Sequence, residues 1–254
     1  MNLKKMFALS AVALCFSGIV NAQSPKEFFG SSDVPVTWLG VDFTLVKMIG
    51  MADVNLTDVR ERQFTGINQV IVNEPKKYEI DDAFDKKNVT KDISEVNKRN
   101  EKANTDAMKS DNSSDYQHLK PEDIAKLIKG FDFGDKKGLG ILFVMEGMSK
   151  TEKEGSMYAT VVDMGRRKVL MTERITGKAQ GFSWRNYWAY TVYKGLESIN
   201  KRKYKEWKGT YGNVEAEPEP APAPVVEKAS EKATQQQAAP KAADKTKGKK
   251  AKKA

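Results

Sequence analysis

Three consecutive strand-like stretches joined by short turns constrain the fold of this chain more than any other feature. Residues 139–148 form an almost continuous apolar run, and residues 156–163 and 168–176 are rich in residues that favour strands. The connections at 150–155 and 165–167 are too short for a crossover helix, so they should join antiparallel neighbours. This pattern predicts an antiparallel meander whose first strand is buried on both faces.

A long helix is predicted to follow the meander, over residues 183–208. Its apolar side chains recur every three or four residues, which is the spacing of a helix that packs against a sheet. Basic residues in its last turns favour the negative end of the helix dipole, and Gly209 can end it. The apolar positions are Trp184, Trp188, Val192, Leu196 and Ile199.

Upstream of the meander, residues 36–49 predict a strand with most of both faces buried, because apolar residues occupy both alternating sets. A helix should begin at a cap formed by Asn55 or Thr57 and end before Pro75. Another helix should begin at Pro121, since the first turn of a helix tolerates proline.

These elements predict a single α/β or α+β domain. Its one mixed, largely antiparallel sheet would follow the order strand, helix, helix, three-strand meander, helix, with the helices packed on it. We assign residues 23–75 to the first strand–helix part of this domain and residues 119–212 to the helix, meander and C-terminal helix. The very polar residues 76–118 predict an insert that forms a solvated helix or loop, or alternatively a partner-binding helix.

Residues 213–254 predict a disordered C-terminal tail. Proline alternates with Glu and Ala over 215–224 and no large apolar residue follows Val226, so the tail cannot bury enough surface to fold. Its last 14 residues hold seven lysines, which makes the tail a candidate for binding anionic polymers. The candidate contact residues there are Lys249, Lys250, Lys252 and Lys253.

Residues 1–22 predict a signal peptide. Two lysines precede an apolar run of about 15 residues, shorter than the roughly 20 that span a bilayer. Cleavage after Ala22 would make Gln23 the first mature residue and place the protein in the periplasm or at the outer membrane. It would also remove Cys15, the only cysteine, and so exclude disulfides and thiolate sites. A lipoprotein that begins at Cys15 is the alternative, which the bulky Leu14 disfavours.

Candidate chemistry is sparse, and we assign no catalytic, cofactor-binding or metal-binding residue. The single histidine, His118, precedes a helix entry, and one histidine without cysteine does not make a classical zinc site. Acids within predicted strands need partners, because an unpaired charge inside a sheet is costly. They could be ordinary salt bridges, or two of them could converge in a hydrolase. These acids are Asp42, Glu146, Asp163 and Glu173.

Two further groups are candidates for binding a partner. Tyr190 and Tyr193 would lie on the outer side of the long helix, where aromatic rings contact proteins or sugars. Arg166 and Arg167 lie in the second turn of the meander. The formal net charge of +9 is partly a property of the tail, so no specific nucleic acid is expected.

The meander resembles part of a known domain type. Residues 158–163 end in Asp, and residues 167–177 carry an Arg-x-Thr-Gly ending, a pattern similar to the hairpin of TolB amino-terminal and curli-secretion-channel domains. The resemblance implies a periplasmic α/β domain that assembles with other envelope components without catalysis. This chain departs from that type in lacking a lipid-attachment cysteine and in carrying the insert 76–118. The start at Asn21-Ala22-Gln23 also resembles exported proteins of the Bacteroides type.

We therefore expect an exported, non-catalytic envelope protein that binds partner proteins or anionic envelope polymers, with the basic tail as a tether. Peripheral contact with a membrane is compatible with that tail. A periplasmic hydrolase that uses paired strand carboxylates is one alternative, and polyanion binding through the tail is another. The sequence indicates no oligomeric state and identifies no cofactor.

Overall fold

Strand β5 (Leu139–Ser149) lies at the centre of a seven-stranded sheet, and every one of its residues is buried. The structure is a computed structural model that describes residues 22–217. A strand covered on both faces needs apolar side chains in both alternating sets, and β5 has them. The expected central strand is confirmed.

The expected meander is also confirmed. Strand β6 (Glu154–Asp163) pairs antiparallel with β5, and β7 (Lys168–Lys178) pairs antiparallel with β6. The turn between β6 and β7 is tight, and Arg167 adopts a φ of 51° in it.

The other edge of β5 corrects the expectation of a largely antiparallel sheet. Strands β1 (Val36–Asp42) and β2 (Lys47–Ile49) lie one after the other along β5, and both run parallel to it. Two short outer strands, β3 (Val89–Lys91) and β4 (Lys109–Ser110), pair parallel with β1 and β2. The sheet is therefore mixed, with a parallel half and an antiparallel half, and the α/β class holds.

Residues 76–118 are part of this sheet, which corrects the expectation of a solvated insert. They supply β3 and β4, and Tyr78, Phe84 and Val96 are buried among them. The polar sequence of residues 76–118 hides these elements, because short edge strands and polar side chains that bind the backbone produce little apolar periodicity. The remaining elements of this stretch are α4 (Ile80–Ala83), α5 (Ser94–Asn100) and the 3₁₀ turns Thr105–Ala107 and Ser113–Gln117.

Two buried asparagines form hydrogen bonds with the backbone of β1 where that strand is irregular. The Asn68 amide oxygen accepts from the Val41 N–H at 2.7 Å, and the Asn100 amide donates to the Val41 carbonyl at 2.9 Å. Gly40, with a φ of 99°, interrupts the register of β1 against β5 just before them. Asn100 therefore binds the sheet backbone, although the sequence shows it only as a break in an apolar stripe.

The helices expected outside residues 76–118 form, with one addition. The first begins at Asn55, whose side chain caps it by accepting from the Asp58 N–H at 3.1 Å. Helix α1 (Pro25–Gly30), which precedes the sheet, was not expected. The others are α2 (Leu56–Asp58) with its π turn (Val59–Gln63) and α3 (Phe64–Asn73), α6 (Pro121–Lys129), and α7 (Trp184–Ser198) with its π turn (Ile199–Lys203) and α8 (Tyr204–Tyr211).

Helices cover both faces of the sheet and make two cores. Helix α7 packs so closely on β7 that a Cβ at Gly177 would lie 2.0 Å from the Thr191 carbonyl oxygen. Helix α6 packs on the opposite face through Ile124 and Ile128. The α7 face also contains Trp38, Phe143, Met157, Ile175 and Trp188, and the α6 face contains Leu142, Val144, Tyr158 and Val162.

The described end of the chain contacts the domain, whereas the sequence predicts disorder from residue 213. The Val214 carbonyl accepts from the Lys26 N–H at 2.9 Å, and Lys26 pairs with Glu215. Glu217 pairs with Lys168 in the β6–β7 turn. The expected tail beyond residue 217 lies outside the described residues.

Candidate binding site

A cavity of about 400 Å³ opens at the end of the sheet where the parallel strands β2 and β5 finish. Gly50 follows β2 and Lys150 follows β5, and both lie in its wall. In open α/β sheets the carboxyl ends of parallel strands are the usual place for a ligand. The rest of the wall includes Met51, Asp53, Phe182, Trp184, Tyr187 and Trp188.

The start of α7 positions the aromatic wall. The Ser183 hydroxyl caps the helix by accepting a hydrogen bond from the Asn186 N–H at 3.2 Å. Gly181, with a φ of 141°, turns the chain against the helix, and a Cβ there would lie 3.2 Å from the Tyr187 nitrogen. The loop therefore meets the helix in a fixed geometry, with Phe182 projecting just before the cap.

Phe182 is the most unusual residue of this site, because its side chain is fully exposed, at 112% of the reference value. An apolar residue directly before a helix cap commonly packs against the fourth helical residue, here Tyr187. Phe182 does not do so, although both residues line the same cavity. Among residues 22–217 the other exposed large hydrophobic residue is Val214, at 46%, less than half the value for Phe182.

The wall behind Phe182 is made of aromatic rings that contact one another. Trp188 is 2% exposed, and the Tyr187 ring meets it edge-on at 5.0 Å between centroids. Trp184 lies 6.3 Å from Trp188 at a tilt of 60°. The Lys150 ammonium lies 4.4 Å from the centre of the Tyr187 ring, a favourable cation–π distance. An apolar group that enters would meet preformed aromatic surface and a polar rim.

The strand carboxylate Glu146 belongs to a closed network on the α6 face. It accepts from the Leu119 N–H at 2.6 Å, from the Ser156 hydroxyl at 2.9 Å and from the Arg174 guanidinium at 2.9 and 3.0 Å. Arg174 also donates to the Leu119 carbonyl at 2.6 Å, as does the Tyr158 hydroxyl at 3.0 Å. The pKa of Arg174 is raised, chiefly by its hydrogen bond to Glu146. This network fastens the segment before α6 to the sheet.

The other three strand acids each have their own donors. Asp42 accepts from Arg99 at 2.7 Å and from Thr44, and Glu173 accepts from the Tyr211 hydroxyl at 2.5 Å. Asp163 accepts only backbone N–H groups in the described structure. The geometry therefore offers no support for two carboxylates sharing one reaction centre.

The aromatic residues singled out on α7 lie in a different cluster from the cavity. Tyr190 and Tyr193 are half-buried, with ring centroids 5.1 Å apart, and Tyr193 meets the buried Tyr78 edge-on. Burial raises the pKa of Tyr78, with a further contribution from Glu74. Lys77 and Lys194 approach these rings. This cluster packs α7 against the segment after α3.

The basic turn residues lie at the end of the sheet opposite the cavity. Arg166 donates to the Glu217 carbonyl at 3.3 Å, whereas Arg167 is exposed. The four tail lysines Lys249, Lys250, Lys252 and Lys253 lie outside the described residues. The structure thus brings neither arginine together with the tyrosine pair.

Sequence reasoning missed Phe182 and Lys150. A signal for Phe182 existed, since an aromatic residue between Gly181 and the Ser183 cap is either a hydrophobic staple or an exposed contact. No signal identified Lys150, because its role depends on β2 and β5 ending side by side.

His118 and the remaining polar groups suggest no metal site. Its Nδ1 lies 2.8 Å from the Asp115 carbonyl. Within residues 22–217, no three or more acidic, histidine or cysteine side chains are grouped as metal ligands. In the same range, no helix has the length and apolar character that crossing a bilayer requires.

No protein-family model, no curated protein and no solved structure matches this chain. The resemblance to TolB-type domains therefore stays a prediction.

Proposed function

We propose that this protein is exported to the cell envelope and acts there without catalysis, by binding a partner protein through the aromatic cavity at the start of α7. The observation that carries the proposal is the full exposure of Phe182 beside a preformed aromatic wall. Exposing a phenylalanine side chain to water is unfavourable. The residues that contribute most to binding in protein–protein interfaces are often aromatic.

The charges around the cavity favour a protein over an anionic polymer. One cation, Lys150, and one acid, Asp53, lie in the wall, and Lys150 already stands over the Tyr187 ring. An anionic polysaccharide would need several free cations, whereas an apolar side chain of a protein needs aromatic surface and a few polar groups. We infer that the partner inserts a large apolar side chain between Phe182 and Trp184.

Photo-crosslinking tests the binding proposal directly. A photoreactive phenylalanine derivative at position 182 should give one dominant covalent protein adduct in cells, and the same group at position 214 should give none. A second substitution, Trp184→Ala, should abolish the adduct, because it removes the surface against which the partner packs. An adduct resistant to protease but sensitive to glycosidases would show the polymer alternative, and no adduct at all would refute the proposal.

The tail forms the second part of the proposal, as a basic tether. Deleting residues 218–254 keeps the contacts of Glu217 with the β6–β7 turn and removes all the lysines beyond it. The truncated chain should dissociate from the envelope fraction at moderate salt. The covalent protein adduct formed through position 182 should still be detected. If truncation leaves fractionation unchanged, the tether function is refuted and the cavity proposal stands.

A further inference from the structure

Asp163 is a buried carboxylate that pairs with no side-chain cation among residues 22–217. It ends β6 and is 1% exposed. Its Oδ1 accepts from the Arg166 N–H at 3.0 Å, and its Oδ2 accepts from the Gln23 N–H at 3.1 Å. Asp42 and Glu146, equally buried, each pair with an arginine, but in the part of the chain described here no lysine or arginine side chain pairs with Asp163.

A buried carboxylate that meets only neutral donors is expensive, and it is stabilised strongly by an opposite charge at hydrogen-bond distance. The atom at that distance is the Gln23 nitrogen. It is a neutral amide as long as residue 22 is attached to it. Once the bond before it is cleaved, the same nitrogen is an α-amino group.

We propose that cleavage between Ala22 and Gln23 is a maturation step that supplies the missing cation of Asp163. In the hydrolysis, water adds across the peptide bond. Ala22 leaves with a carboxylate, and the Gln23 nitrogen keeps its electron pair and gains protons to become an ammonium. An α-amino group has a pKa of about 7.7 to 8.0, so it is mostly charged at pH 7 even before a carboxylate raises that pKa. The inference rests on the export that we propose above.

The Gln23 nitrogen is held in place by residues that follow it. Ser24 is 7% exposed, and its hydroxyl caps α1 by accepting from the Glu27 N–H at 3.0 Å. Pro25 begins the helix, and Phe28 and Phe29 bury it in the core. The position of the nitrogen against Asp163 therefore needs nothing before residue 23.

The consequence is a domain that gains stability only after its leader is removed. With residues 1–22 attached, Asp163 meets neutral donors, and with Gln23 first it forms an ion pair. The uncleaved chain is therefore the less stable form.

The test compares two chains that differ by one residue. One begins at Gln23 and the other at Ala22, and each is made by removing a tag with a protease that leaves no extra residue. The chain that begins at Gln23 should have about tenfold greater stability, measured as its folding equilibrium constant in urea. Equal stabilities would overturn the inference.

Asp163→Asn is the matched variant, because it keeps an oxygen for the Arg166 N–H and removes the charge. It should abolish the difference between the two chains, and Asp42→Asn should leave the difference intact. If Asp163→Asn does not fold, the rate at which the α-amine is acylated at pH 7 tests the ion pair in chains that keep Asp163. The α-amine of Gln23 should react several-fold more slowly than that of the chain beginning at Ala22, and an equal rate would overturn the pairing.

The amino-terminal residue of the protein from envelope fractions separates this inference from the function. Gln23 with a free amine supports both. An envelope protein that begins elsewhere, or whose Gln23 has cyclised with loss of ammonia, overturns the ion pair and leaves the proposed function standing. An uncleaved protein confined to the cytoplasm overturns both.

Discussion

The two ends of the sheet are built in opposite ways. At the end where β2 and β5 finish, Phe182 stands exposed beside an open aromatic cavity. At the other end, the turn that holds Asp163 is covered by the chain's own segments, with Gln23 on one side and Glu217 on the other. The cavity end leaves apolar surface exposed to water. At the other end, the segments around residues 23 and 217 supply polar partners to Asp163 and Lys168. The proposed partner site lies at the end that keeps its apolar surface exposed.

The largest expected effect concerns the buried charge near the cavity end. Glu146→Ala should destabilise the domain by about 3–5 kcal/mol, because it removes the carboxylate that neutralises Arg174 and leaves the Leu119 N–H without its acceptor. Urea unfolding measures the loss. The double variant Glu146→Leu with Arg174→Met should be less destabilised than the single one, and an equal loss would contradict a role in pairing.

The packing of α7 gives the next largest effect. Gly177→Ala should cost about 1–3 kcal/mol, because the new Cβ would collide with the Thr191 carbonyl and push α7 off the sheet. Thermal unfolding measures it. Gly209→Ala is the control, since its Cβ would meet open space within α8, and it should stabilise by up to about 1 kcal/mol. Similar responses of the two variants would refute this packing.

The pH dependence of stability contributed by Lys86 tests the end of the sheet opposite the cavity. Burial is the main reason that its pKa falls to about 8, and its ammonium donates to the Ser31 carbonyl at 3.0 Å. Between about pH 8 and the unfolded value of 10.5, the unfolded chain holds more protons than the folded one. Stability contributed by this group should therefore rise with pH in that window. Urea midpoints from pH 7.5 to 9.5 should rise more for the wild type than for Lys86→Met, and parallel curves would contradict it.

The smallest effect on stability should come from Phe182, on which the proposed partner site centres. Phe182→Ser should change the free energy of unfolding by less than about 0.5 kcal/mol, because the side chain has no contacts to lose. Val214→Ser is the control, at a residue that is 46% exposed and lies outside the cavity. A large loss of stability in Phe182→Ser would mean that Phe182 is structural, and the contrast between the two ends would fail.

The sequence predicted the antiparallel half of the fold well and the parallel half poorly. Long strands joined by short turns pair with their neighbours in sequence, so local pattern alone predicts β5, β6 and β7 and their pairing. Strands β3 and β4 have three and two residues, and their partners are distant in sequence. Such short parallel edge strands leave no periodic signal, which is why the sequence predicts an insert over residues 76–118.

The candidate site was less predictable than the fold. The sequence pattern places Tyr190 and Tyr193 on the outer side of α7, and in the structure both are half-buried and Tyr193 contacts Tyr78 in the segment after α3. The exposure of Phe182 depends on Gly181, whose backbone packs against the start of α7 near the Tyr187 nitrogen, and the sequence alone does not show that approach. A local pattern shows which residues could contact a partner, but only tertiary packing decides which of them stay uncovered.

The location of Glu217 has a practical consequence for handling the protein. Because both residue 23 and residue 217 contact the β6–β7 turn, a tag placed at either position holds the molecule by the same end. On a sensor chip, both attachments would leave the aromatic cavity directed toward the flowing solution. Amino-terminal attachment would also occupy the Gln23 nitrogen, so attachment after residue 217 is the orientation that preserves the amine we propose there.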